Sequence, residues 1–274
     1  MVNKGFLCKV FALSCLIGMI VNEGCFSQQF SVGVKAGALL NWAHFGEKDD
    51  RSKFGSKPIP GYAGGFVISF PLKNKFSFLV EGGYSKKGRI VTHPENSTTD
   101  WLNTATYNML DGSMALRKSY TFKFRKNIPA QWFFNIGPEI NYVLNGKGNI
   151  KVGGPGYNYT ILYRNDSIQD YHYMNYINAN RWLFALDIGI GCKFPLHKNQ
   201  SFTIELRFIS GHTYLGKKGT GISATNQGHS FINILGYEDT LQTNLKSLNF
   251  SLTYVFDSDR QKRRMGKSTI SQKK

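Results

Sequence analysis

Four carboxylates, Glu81, Glu139, Asp187 and Glu205, recur in stretches where residues alternate in character, and Lys35, Arg117, Arg181 and Arg207 occupy the same kind of position. Carboxylates brought together serve as acid and base when their environments push their affinities for protons apart. Interleaved with lysine and arginine, they serve better as an ion-pair network in a narrow interior. The spacing favours the network, a structural role. The six histidines (His44, His93, His172, His197, His212 and His229) are scattered, and no two have the i, i+4 spacing of a helical zinc site. Ser210 with His212, and Ser230 with His229, are the pairs a lipid-processing enzyme would need, and nothing beyond proximity links them. The glycine-rich runs Val152–Gly156 and Gly216–Gly219 lack the strand–loop–helix setting of a phosphate cradle. The expectation is therefore no catalytic residue, no cofactor and no metal.

The elements that carry these residues are strands. Phe30, Val32, Val34, Ala36 and Ala38 share one face, opposite Ser31, Gly33, Lys35 and Gly37. The same period of two recurs at Tyr62–Phe70, Phe76–Tyr84, Leu116–Phe124, Trp132–Tyr142, Trp182–Phe194, Phe202–Phe208 and Leu248–Phe256. Successive strand side chains point to opposite faces, so each segment has one apolar and one polar side. The polar side mixes both signs of charge with Gly, Ser, Thr and Asn, and the apolar side tends to end in Trp, Tyr or Phe. Both traits fit a membrane barrel, apolar outward with aromatic girdles, better than a soluble sheet over an apolar core.

The connections alternate long and short. Short ones fall at residues 71–75, 125–130 and 195–200; long ones at about 40–60, 86–112, 145–180 and 211–243. Bacterial outer-membrane barrels pair short periplasmic turns with long external loops. The predicted fold is all-β: a closed, antiparallel, up-and-down transmembrane β-barrel of about eight strands, whose interior is filled by side chains rather than open.

The ends of the chain carry separate signals. Lys4 and Lys9 precede an apolar run from Phe6 to Val21, too short to span a bilayer comfortably, so residues 1–27 read as a secretory signal cleaved after Ser27. Acylation of Cys25, which follows Gly24, is the alternative. Cleavage removes Cys8, Cys15 and Cys25 and leaves Cys192 as the one thiol, so no disulfide framework is expected. Residues 28–257 form the barrel. Residues 258–274 are polar and basic without apolar period, a disordered periplasmic tail suited to a protein partner or anionic headgroups. The formal charge of +17 invites nucleic acid, but an exported chain meets lipopolysaccharide and phospholipid instead.

Several strands are similar to a known family. Ser31-Val32-Gly33-Val34-Lys35-Ala36-Gly37, Pro60-Gly61-Tyr62-Ala63-Gly64-Gly65-Phe66 with Phe70-Pro71-Leu72, and Phe76 through Gly88 resemble the first three strands of the outer-membrane β-barrel domain widespread in Bacteroidetes, which includes PorT-like proteins. Phe134-Asn135-Ile136-Gly137-Pro138-Glu139 and Leu248 through Tyr254 extend the resemblance. It implies an outer-membrane location and a non-enzymatic role as an envelope element or an accessory of secretion or gliding machinery. The alternatives are an envelope-lipid-modifying enzyme and a soluble, lipocalin-like periplasmic binding barrel. Asp166-Ser167-Ile168 and Asp239-Thr240-Leu241 resemble the O-glycan acceptor sites of the same bacteria, which would place sugars on Ser167 and Thr240.

Overall fold

The computed structural model describes residues 30–92, 101–124, 128–152, 156–163, 173–176, 179–196, 200–216, 221–223 and 238–257, all within one unit, Phe30–Ser258. Residues 1–27 and 258–274 lie outside them, as do Ser167 and the histidines at 93, 172, 197 and 229.

Eight long strands form a ring: β1 (Ser31–Phe45), β2 (Ile59–Pro71), β3 (Phe76–Thr92), β4 (Trp101–Phe124), β5 (Ile128–Val152), β6 (Trp182–Pro195), β7 (Gln200–Gly211) and β8 (Thr243–Asp257). Each pairs antiparallel with the next, and β8 closes on β1 through fifteen residues running from Ser31↔Asp257 to Phe45↔Thr243. Every strand edge in the ring is therefore hydrogen-bonded, as a sheet in hydrocarbon requires.

The stagger follows from the register. Phe133 pairs with Gly191, then Glu205, Ser251, Gly37, Ala63, Ser85 and Met109, and the circuit returns to β5 at Val143, ten residues along. Eight strands so tilted enclose a bore that side chains fill. The predicted closed barrel of about eight strands is the fold observed.

Polarity decides which side is which. The outward residues Val34, Phe66, Trp182 and Phe250 are 50 % exposed or more, whereas the inward Glu205, Arg207, Ser247 and Ser251 are 2 % or less. A soluble barrel has the reverse arrangement, so the lipocalin-like alternative is corrected by the exposed apolar wall. Two aromatic tiers bound that wall. Tyr120 stacks on Trp132 at 4.6 Å near the short turns, and Tyr142 meets Trp182 at 4.7 Å near the long connections. Trp132 and Tyr142 are ten residues apart on β5. At about 3.3 Å per residue and a tilt of about 40°, that is about 25 Å of height, the thickness of the apolar band of such barrels.

Three strands run well beyond this band, β3 as far as Thr92 among them, which corrects the expected loops at 86–112 and 145–180. β4 begins at Trp101 and β5 continues to Val152, and they stay paired from Trp101↔Val152 downward. Their register shifts at Asn108/Met109, a bulge at the upper aromatic tier. Above it the polarity reverses. Thr106 and Asn108 face outward, with Asn108 Nδ2 donating to Asn145 Oδ1 at 2.6 Å, while Ala105, Tyr107, Met109 and Val143 are buried inside. The strand Gly156–Leu162 extends this wall beside β5. The interior there is an apolar cluster that adds Phe45, Val91, Ile150, Ile161, Leu215, Leu241 and Leu245. The ring thus ends in a cap built like a soluble domain: polar outside, apolar inside.

Candidate functional site

Inward positions carry the chemistry, because period-two alternation in a wall that is apolar outside leaves the polar set nowhere else to go. Nearer the short turns, Lys35, Arg117 and Arg207 face Glu81, Asp187 and Glu205, three cations to three carboxylates. Lys35 Nζ lies 3.0 Å from both Glu81 Oε2 and Glu205 Oε2. Arg207 donates to Asp187 Oδ2 at 2.6 Å, pairs with Glu205 Oε2 at 2.9 Å, and also donates to Glu81 Oε1. Arg117 Nη2 meets Glu205 Oε1 at 3.2 Å and stacks its guanidinium 3.7 Å from the Phe133 ring centroid. Asn135 Nδ2 donates to the same Glu205 oxygen at 2.5 Å. Five strands of the ring meet in this cluster and a sixth contributes Arg117, so its ion pairs cross the bore rather than follow its wall.

A second, higher cluster centres on Lys87. Its ammonium donates to Glu139 Oε1 and Asn141 Oδ1, both at 2.6 Å, with Asp111 Oδ1 at 3.7 Å. Above it, fully buried Arg89 donates to the Thr240 carbonyl at 2.9 Å and to Thr243 Oγ1 at 3.3 Å, which ties the β3 wall to the segment entering β8.

Seven of the eight residues expected in the lumen sit in these two clusters. Arg181 does not. It lies just above the Tyr142–Trp182 pair, donates to Tyr142 Oη at 3.2 Å and stacks over the Tyr163 ring at 5.0 Å. Its inward parity was legible, but its height puts it at the rim. Lys87, Arg89 and Asp111 were missed because 86–112 reads as loop. The signal lay in the odd positions of β3, Glu81, Gly83, Ser85, Lys87 and Arg89, which continue one inward series.

The space left over is small. Of three cavities among the described residues, the largest, about 60 Å³, lies between the clusters and is lined by Lys35, Glu81, Lys87, Asp111, Glu139 and Arg207. The next two are about 30 and 20 Å³. Ligand pockets run to about 300–1,000 Å³, whereas 60 Å³ suits a few waters. Buried acceptors without a protein hydrogen bond, Asp111 Oδ1, Asn249 Oδ1 and Ser251 Oγ, line the largest cavity and suit water.

The other candidate residues lie apart from the lumen. Ser210 and His212 follow the outward side of β7, and the His212 main-chain N–H donates to Phe184 O at 2.8 Å. Cys192 is a half-buried free thiol on β6. Thr240 is 9 % exposed and its Oγ1 accepts the Gln242 N–H at 3.1 Å, so the hydroxyl is engaged inside the cap rather than presented to a glycosyl donor. Among the described residues, no three His, Cys, Asp or Glu side chains converge on a metal position.

Comparison with known proteins gives three findings. The family model for the outer membrane protein beta-barrel domain matches residues 26–213. Among solved structures, the outer membrane protein OprG of Pseudomonas aeruginosa is 10% identical, with 84% of this chain and 97% of that chain covered and a TM-score of 0.43. Neisserial surface protein A is 11% identical over 83% of this chain and 96% of that one, with a TM-score of 0.34. Ail of Yersinia pestis, in complex with the heparin analogue sucrose octasulfate, is 9% identical over 83% and 99%, with a TM-score of 0.32. No curated protein matches the sequence.

Proposed function

The chain belongs to the outer membrane protein β-barrel domain family and is an outer-membrane β-barrel, and on that premise we propose that it is a filled, non-conducting, non-enzymatic barrel that anchors a folded external cap. The observation that carries this reading is the double closure of the bore. Two ion-pair clusters cross the lumen, and an apolar core lies above them. Among the described residues the cavities within the bore are about 60 Å³ or less, too small for a solute path or a substrate pocket.

In this reading the long-connection end is external and the short turns and both termini are periplasmic, as eight strands and the loop rhythm require. The leader 1–27 is removed on export. The cap offers a rigid polar surface to an external partner, and the basic tail 258–274 offers a periplasmic contact. A PorT-like accessory role in secretion or gliding machinery fits a barrel that holds two surfaces in fixed register across the membrane. Lipopolysaccharide surrounds the upper aromatic tier.

The test is affinity isolation of the tagged full chain from native outer membranes, beside a variant lacking 258–274 and a cap variant, Tyr107→Ala. The proposal expects an envelope-machinery protein that follows the full chain and is lost from at least one variant. Recovery of the barrel alone, at levels matching an untagged strain for every other protein, overturns the accessory role.

A further inference from the structure

We propose that Lys118, Lys73 and Lys75 form a binding site for the phosphate of an anionic glycerophospholipid at the short-turn edge of the barrel. The proposal rests on the chain's insertion in a membrane, not on what its cap or tail binds.

Lys118 is the anomaly that points to it. On β4 the outward residues run Leu116, Lys118, Tyr120, so this lysine lies two residues deeper in the apolar wall than the aromatic tier formed by Tyr120 and Trp132. Its register neighbours are Phe76 on β3 and Phe134 on β5, both apolar. A lysine facing lipid is costly unless its ammonium reaches the interface, and the four-carbon stem allows that reach. The geometry shows the side chain doing so. Nζ sits 5.0 Å from the Phe76 ring centroid and 5.6 Å from that of Tyr120. No carboxylate among the described residues pairs with it, whereas the inward Arg117 next to it has Glu205. The ring faces partly compensate the charge, and an anion from the bilayer completes it.

The adjoining turn supplies two more cations. Phe76 N–H donates to Lys73 O, and the two central residues, Asn74 and Lys75, have φ of 60° and 65°. Such turns take two left-handed residues, most often Asn then Gly. Here the glycine position holds a lysine, a conformation that a side chain bears only at a cost. The turn contacts β4, and both of its lysines are exposed. The wider setting has the same sign: the three short connections carry Lys73, Lys75, Arg125, Lys126 and Lys198 and no Asp or Glu. A soluble acidic partner would meet the turns, but Lys118 lies down the wall where a headgroup phosphate approaches from the bilayer itself. That placement selects lipid over protein.

The test uses Trp132, which stacks beside the site. In the full chain with Trp42, Trp101 and Trp182 changed to Phe, its fluorescence is followed in phosphatidylcholine vesicles. These are doped with a minor fraction of brominated phosphatidylglycerol or the same fraction of brominated phosphatidylcholine. Heat-modifiable gel migration verifies insertion of each variant independently. The expected result is association of the anionic lipid favoured about threefold or more, given the attraction each juxtamembrane lysine exerts. Lys73→Gln/Lys75→Gln/Lys118→Gln should abolish the preference, as should high salt. If the triple variant does not insert, Lys118→Gln alone should lower the preference. Equal quenching by the two lipids overturns the proposal, as does a preference that survives the glutamine substitutions. Added inorganic phosphate should leave the preference in place; its loss would mean a free-anion site and overturn the lipid assignment.

Discussion

Arg207 Nη1 lies 2.6 Å from Asp187 Oδ2, diagonally across the β6–β7 pair, while the same guanidinium holds Glu205 and Glu81. One buried arginine thus compensates three buried carboxylates. Removing one partner of a buried pair costs about 3–5 kcal/mol because it strands the other charges. Arg207→Gln should therefore lose about that much stability in urea unfolding from lipid vesicles. Asp187→Asn alone should cost less, since Arg207 still has Glu205 and Glu81 as partners. In the double-mutant cycle the two substitutions should couple by at least about 1 kcal/mol. Additive effects would mean that water, not Arg207, compensates Asp187.

The reversal of polarity at Asn108 predicts opposite tolerance on one outer surface. Ile136 faces outward in the apolar band and is 41% exposed. Ile136→Arg should cost about 2–4 kcal/mol, as charge on a lipid face near the midplane does. Thr106, outward but above the bulge, should accept Arg within about 0.5 kcal/mol, like an ordinary solvent position. Unfolding midpoints in the same vesicles measure both. Equal penalties would place Thr106 in lipid and remove the boundary.

This reversal also explains what the sequence withheld. The alternation at Val32–Ala38 or Leu248–Phe256 is read directly because one rule, apolar outward, holds from end to end. On β4 the rule holds from Leu110 to Phe122, Lys118 excepted, and inverts from Ala105 to Met109, so the strand reads as two unrelated fragments. β5 hides its upper half in the same way, and its bulge shifts the inward series from Val143 to Gly146, Gly148 and Ile150. Lys35, Glu81, Arg117, Glu139, Asp187, Glu205 and Arg207 were legible as lumenal because side-chain parity depends on sequence alone. Arg181 was misplaced because height depends on the stagger between strands, which no single strand encodes. Lys87, Arg89 and Asp111 were lost with the strand halves that carry them.

The cap should fail separately from the barrel. Tyr107 is fully buried in the apolar cluster, its hydroxyl 3.4 Å from that of Tyr176. Tyr107→Ala removes a large core side chain, a loss of about 3–5 kcal/mol of local packing. Trypsin applied to intact cells should then cut within the long connections, while heat-modifiable migration of the barrel persists. Coincident loss of both would show that cap and barrel fold as one unit.

The closure of the bore is the claim on which the functional reading stands, and single-channel recording of the purified full chain in planar bilayers tests it most directly. With Lys35, Arg117 and Arg207 locked to Glu81, Asp187 and Glu205, and the apolar cap above, inserted protein should give a baseline indistinguishable from bare lipid. Arg207→Gln should leave it so, or at most add brief flickers. Sustained, discrete conductance steps from the unaltered chain would contradict a filled lumen.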